Sequence, residues 1–132
     1  MIHPSALLRR ALLADAIFSG VAALALSFGA GAFAARLNLP ESLLLESGLF
    51  LIAYAAFVGW LGTRQNMLKT FVLIVVAGNA AWALASLALL LSGAVSPNLL
   101  GQVLVVAQAI ATGVFAELQY VGVRKSGAAA AA

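Results

Sequence analysis

The stretch TFVLIVVAGNAAWALASLALLL, residues 70–91, decides the fold. It contains no charged residue, and as a helix rising about 1.5 Å per residue it would extend about 33 Å, enough to cross a hydrocarbon core of about 30 Å. A barrel strand needs only about ten residues and alternates in polarity, so an unbroken Ala- and Leu-rich run of this length predicts a helix. Working outward, three more runs of the same character appear at residues 11–35, 43–62 and 99–123. The connections between them carry turn chemistry: Asn38-Leu39-Pro40, Thr63 to Asn66, and Ser96-Pro97-Asn98. Linkers this short force consecutive helices to be antiparallel neighbours. The predicted fold is all-α, a four-helix transmembrane bundle of two antiparallel hairpins. It forms a single domain over residues 1–126, and a low-complexity tail without evident packing logic follows at residues 127–132.

Composition leads to the same class. The chain is 64% hydrophobic and only 8% charged, whereas a soluble domain carries roughly a quarter of its residues as charges. Lipid must therefore be the solvent for most of its surface. The net charge of +3 comes from basic residues at the ends of apolar runs, which points to membrane orientation and away from nucleic acid. Arg9, Arg10, Arg64, Lys69, Arg124 and Lys125 fall on one side and Arg36 alone on the other. Basic residues concentrate on the cytoplasmic side, so both termini are expected there. Arg9-Arg10, the following apolar run and Ala32-Phe33-Ala34 resemble a signal peptide with its cleavage site. The run of about 25 residues is too long for a signal core of about 7 to 15, and a retained span is the preferred reading.

Chemistry-bearing motifs are scarce. Cysteine is absent and His3 is the only histidine, which removes thiol catalysis, thiolate metal sites and a bis-histidine haem. No glycine-rich phosphate loop with a following lysine and no nucleophile system can be read. The expectation is a protein that is not an enzyme, with no catalytic residue, metal or cofactor.

Lipid provides no hydrophobic drive between helices, so close packing and interhelical hydrogen bonds must hold them. Small residues recur at i+4 spacing along Asp15, Ser19, Ala23, Ser27, Gly31 and Ala35; along Ala77, Ala81 and Ala85; and along Gly101, Ala109, Gly113 and Glu117. These stripes are expected to be seams within the bundle, with an oligomer interface as the rival reading. Asp15 leads to Gly29 as Asn79 leads to Gly93, which hints at a parallel internal repeat.

Ionisable and amide groups at depth are costly and are the best functional pointers in such a chain. Matching depths across the hairpins places Asp15 level with Thr63, beside Arg64, and Glu117 lies at a similar level on the last helix. Two readings compete. Asp15 and Glu117 are interfacial carboxylates paired with Arg64, Arg10 or Arg124, or they form a carboxylate pair capable of proton coupling. Nearer the bilayer centre, Asn79 falls level with Thr112 and Trp82 level with Gln108. Unpaired amides are expensive there, so mutual hydrogen bonds are expected, with a small binding cavity as the alternative. The candidate intramembrane polar site is Asp15, Arg64, Asn79, Trp82, Gln108, Thr112 and Glu117. Tyr54 is assigned no role, and Trp60 and Tyr120 fit an interfacial aromatic belt.

Three stretches taken together resemble a known group: Leu8-Arg9-Arg10-Ala11-Leu12-Leu13-Ala14-Asp15 with Ser19-Gly20, then Asn79-Ala80-Ala81-Trp82, then Phe115-Ala116-Glu117-Leu118-Gln119-Tyr120. The group consists of small, uncharacterised bacterial integral membrane proteins of about this length. The resemblance implies a bacterial inner membrane and no particular activity. The small multidrug exporters share the length and helix count, but Asp15 is shallower than their mid-helix glutamate and its flanks differ. The Thr- and Phe-rich pore signature of the fluoride channels is also missing.

Three functions from different classes follow. The leading expectation is a structural or accessory membrane protein, working in a larger membrane complex or as a homo-oligomer. The second is a small oligomeric transporter or channel, proton-coupled through Asp15 and Glu117. The third is a binder of an apolar ligand held near Trp82.

Overall fold

A computed structural model describes residues 1–128. Four helices make up almost all of it: α1 (Ala6–Leu37), α2 (Glu41–Gly62), α3 (Lys69–Ser92) and α4 (Leu99–Arg124). Two-residue strands, β1 (Ile2–His3) and β2 (Gly127–Ala128), flank them. All four helices are long and apolar enough to cross a membrane, and the chain is a multi-pass membrane protein of the predicted all-α, four-helix class.

Local chemistry sets the helix ends. α1 starts five residues before its apolar run because Ser5 caps it, its Oγ accepting from the Leu8 N–H at 3.1 Å. It ends at Asn38, whose left-handed backbone (φ 56°) turns its N–H back onto the Ala34 carbonyl. Within α1, Gly29 departs from helical geometry (φ −116°, ψ 15°), so the helix kinks in its distal third. Asn98 caps α4, its side-chain oxygen accepting from the Gly101 N–H at 2.8 Å.

The helices do not close into a ring. α1 packs extensively against both α2 and α4, and α3 packs against α4, while the backbones of α2 and α3 stay apart and meet mainly through aromatic side chains, Phe57 against Phe71 and Phe50 against Trp82. In cross-section the order is α2–α1–α4–α3, with an open seam between the two outer members. Glycines allow the close crossings. A Cβ on Gly48 would lie 2.7 Å from the Ser27 nitrogen, and one on Gly122 would lie 2.7 Å from the Leu8 Cα.

At the end carrying both termini the bundle is sealed. β1 pairs antiparallel with β2, and Ile2 also exchanges two backbone hydrogen bonds with Met67, at 2.8 and 2.9 Å, in the α2–α3 connection. Arg9 donates to the carbonyls of Gly62 (2.6 Å) and Arg64 (2.8 Å), satisfying groups at the C-terminus of α2. Beneath this cap Leu8, Leu12, Val58, Leu61, Met67, Val72, Val75 and Val123 form one buried cluster. The tail predicted to lack packing logic thus contributes Gly127 and Ala128 to the cap. Backbone pairing needs no side chain, so composition gave no sign of it. Residues 129–132 lie outside the described residues.

At the opposite end the two hairpin loops are tied together. Asn38 Nδ2 donates to the Ser96 carbonyl and Asn98 Nδ2 to the Arg36 carbonyl, both at 2.6 Å.

Candidate functional site

Asp15 is the centre of the interior. It lies about 13 Å along α1 from Ala6, and none of its surface is exposed. Its Oδ1 accepts from Ser19 Oγ at 2.9 Å. Its Oδ2 accepts from Tyr54 Oη, Asn79 Nδ2 and Gln119 Nε2, each at 2.8 Å. A second bond of 3.0 Å runs from Asn79 Nδ2 to Gln119 Oε1 and closes the network. Ser19, Tyr54, Asn79 and Gln119 come from α1, α2, α3 and α4 respectively, so one acidic group ties all four helices together. Every partner is neutral, and no Lys or Arg among the described residues bonds to the carboxyl group.

This arrangement differs from both readings of the polar residues near Asp15. Arg64 is not its partner. Arg64 is exposed, donates to Thr63 Oγ1 at 3.2 Å and places its guanidinium over the Trp60 ring, 5.4 Å from the centroid. Matching hairpin depths fixes height along the helices but not direction, and Asp15 points inward while Arg64 sits on the outer connection. Glu117 does not pair with Asp15 either. It is exposed on α4, and the residue facing Asp15 is Gln119, about 200° further round the helix.

The second polar layer forms where depth matching placed it. Trp82 Nε1 donates to Gln108 Oε1 at 2.9 Å, and Gln108 Nε2 donates to the Val105 carbonyl at 2.8 Å. The Trp82 ring stacks on Phe50 with centroids 5.9 Å apart and planes 7° from parallel. Asn79 and Thr112 do not meet in this way. Asn79 bonds to Gln119, two turns nearer the terminal end, while the Thr112 hydroxyl donates to the carbonyl of Ala109 on its own helix.

Sequence reasoning missed Tyr54 and Gln119. A signal existed for each. A tyrosine hydroxyl in mid-span needs a partner. Gln119 continues the series Ala109, Thr112, Ala116 and Val123, all buried on α4 at alternating spacings of three and four. A strict i+4 stripe advances about 40° with each step and spirals off that face. On α1, accordingly, Asp15, Ser19 and Ala23 are buried, whereas Gly31 and Ala35 of the same stripe are exposed.

Beside this network lies a cavity of about 710 Å³ in the open seam. Ser19, Tyr54 and Asn79 stand at one end of it, and Leu39, Leu43 and Leu89 at the other. From Asn79 to Leu89 the cavity follows α3 for about 15 Å. Ala81 and Ala85, expected to be a helix-packing seam, instead line this space together with Gly78. Small residues permit close approach but do not by themselves cause it.

No known protein family matches the sequence, and no curated protein or solved structure shows significant similarity to it. Any functional reading must come from the site itself.

Proposed function

We propose that this is a non-enzymatic membrane protein that holds an apolar-chained, lipid-like molecule in the seam between α2 and α3. In this reading it resides in a bacterial inner membrane with both termini cytoplasmic. The observation that carries the proposal is the cavity of about 710 Å³, walled mainly by apolar side chains and placed where two membrane-spanning helices part. Over most of this wall water would lack hydrogen-bond partners, because polar side chains are confined to a few positions. In a bilayer the material at hand to fill such a space is a hydrocarbon chain. The volume also falls within the range of about 300–1,000 Å³ common for small-molecule sites. At about 30 Å³ per non-hydrogen atom, the share of one water in the liquid, it accommodates a ligand of roughly 24 such atoms.

The test is native mass spectrometry after gentle-detergent purification, comparing the wild type with Gly78→Phe. Gly78 lines the cavity, and a Cβ built there meets nothing within 4 Å, so the larger ring can enter without a backbone clash. The wild type should retain a bound lipid-like molecule near one per chain, and the variant should lose it. Equal adducts in both, or none in either, would remove the binding reading.

A second reading, a structural or accessory subunit, draws on the near-complete pairing of the interior. Ser27 Oγ alone among the described residues is a buried side-chain polar atom without a partner. A stoichiometric larger protein travelling with the chain in the same experiment would favour it.

A further inference from the structure

We infer that the cavity selects its occupant by head group: it takes an amphiphile whose head is an uncharged hydrogen-bond donor, such as a hydroxyl, and rejects anionic heads. The inference rests on the binding reading above and specifies its ligand class.

The argument begins with the polar groups that the cavity's Asp15 end presents. Asn79 donates through Nδ2 to both Asp15 Oδ2 and Gln119 Oε1, which leaves its carbonyl oxygen Oδ1 on the other side of the amide. No described residue donates to that oxygen, and it is not among the solvent-inaccessible unpaired atoms. Asn79 lines the cavity, and a ligand there is the donor we infer for Oδ1. Tyr54 and Ser19 line it too, and each directs its single hydroxyl hydrogen at Asp15, keeping only lone pairs for a ligand. This end of the cavity therefore displays acceptors and no free donor. A head group with an O–H or N–H can bond there, whereas one with acceptors alone leaves Asn79 Oδ1 unpaired in an apolar setting.

Charge acts in the same direction. The Asp15 carboxylate lies directly behind Tyr54, Asn79 and Ser19, and none of the described residues lining the cavity is Lys, Arg or His. An anionic head, itself only an acceptor, would face the acceptor oxygens of this end with no cation to compensate its charge. Further along the wall Ser47 offers a hydroxyl, and Gln108 has one amide hydrogen not used in its bond to Val105. Both groups are neutral, so neither can stand in for a cation.

The experiment uses three chain-brominated probes of equal length: hexadecanol, its methyl ether, and hexadecanesulfonate. Trp82 lines the cavity, and the chain has two tryptophans, so Trp60→Phe leaves Trp82 as the only reporter. Quenching of its fluorescence in detergent then measures occupancy. The alcohol should quench best, the ether less well, and the sulfonate roughly tenfold or more weakly than the alcohol. Gly78→Phe should abolish quenching by the alcohol. Equal quenching by all three probes, lost in Gly78→Phe, would overturn head-group selection while leaving the binding reading intact. Quenching by none, or quenching indifferent to Gly78→Phe, would sink both. Asp15→Asn should narrow the gap between alcohol and sulfonate. That variant can weaken the fold, so the comparison of probes on the Trp60→Phe background carries the decision.

Discussion

The two halves of this bundle use the same four helices and reach opposite results. At the end that carries both termini, Leu8, Leu12, Leu61, Met67, Val72 and Val75 are each exposed by 1% or less. Farther along α3 the wall toward α2 carries Gly78, Ala81 and Ala85 beside Asn79 and Trp82, and a cavity opens next to a second, smaller buried cluster of Ala30, Leu37, Leu39 and Leu44. In water such a gap would be a defect, since the lost contacts have no substitute. In a bilayer a lipid chain is as apolar as leucine, so helices gain little by closing on one another and an open seam is tolerable. Small residues at depth therefore have two possible meanings. Where a neighbouring backbone is pinned against them they make a tight crossing, as at Gly122. Where nothing pins the neighbour they make space, as at Gly78.

The largest expected effect tests that distinction directly. Gly122→Leu puts a Cβ 2.7 Å from the Leu8 Cα, beneath the cap formed by β1 and β2, and the flexible end of a side chain cannot yield there because the obstacle is backbone. The variant should lose about 3 kcal/mol of stability or fail to fold. Gly78→Leu meets open space and should lose nothing, with a gain of up to about 1 kcal/mol from helix propensity. Thermal unfolding in detergent compares them. Equal stability of the two variants would erase the contrast between a closed and an open half.

A smaller loss is expected where the halves meet. Asp15→Ala removes the acceptor shared by Ser19, Tyr54, Asn79 and Gln119. At an average of about 0.6 kcal/mol per interhelical bond in membranes, the three bonds to Tyr54, Asn79 and Gln119 amount to about 2 kcal/mol, and the Ser19 bond within α1 adds little. Gln119→Leu, which deletes one arm of the network, should cost about half as much. Unfolding measured on the same scale checks both. A neutral Asp15→Ala would mean that the closed half holds the bundle together without the network.

Much of the fold was legible because it depends on quantities a sequence states outright: run length, the absence of charge, and loop length. Residues 70–91 and the turns around Pro40 and Pro97 suffice for four antiparallel helices. The open seam was not legible, since Ala81 and Ala85 look the same whether a helix or a cavity faces them. Of the polar site, depth matching brought Trp82 to Gln108 because those two residues lie level across one hairpin. It could not find the bonds of Asp15, which join α1 to three other helices and depend on rotation about each axis. Gln119 sat two residues from the more conspicuous Glu117, and charge drew attention to the wrong face of α4.

The smallest expected effect is the most discriminating for electrostatics. If depth alone governed pairing, Asp15 and Arg64 would be coupled, and Asp15→Asn would be partly masked by Arg64→Gln. The structure instead gives Asp15 only neutral donors and places Arg64 over Trp60. The two changes should therefore add, with an interaction energy within about 0.5 kcal/mol of zero. Arg64→Gln alone should have little effect, because an exposed cation on one aromatic ring contributes only about 0.5–1 kcal/mol. A double-mutant cycle in detergent decides it. Coupling well above that margin would mean that Arg64 reaches the carboxylate in the folded protein, and the neutral, four-donor description of Asp15 would have to be abandoned along with the head-group selection built on it.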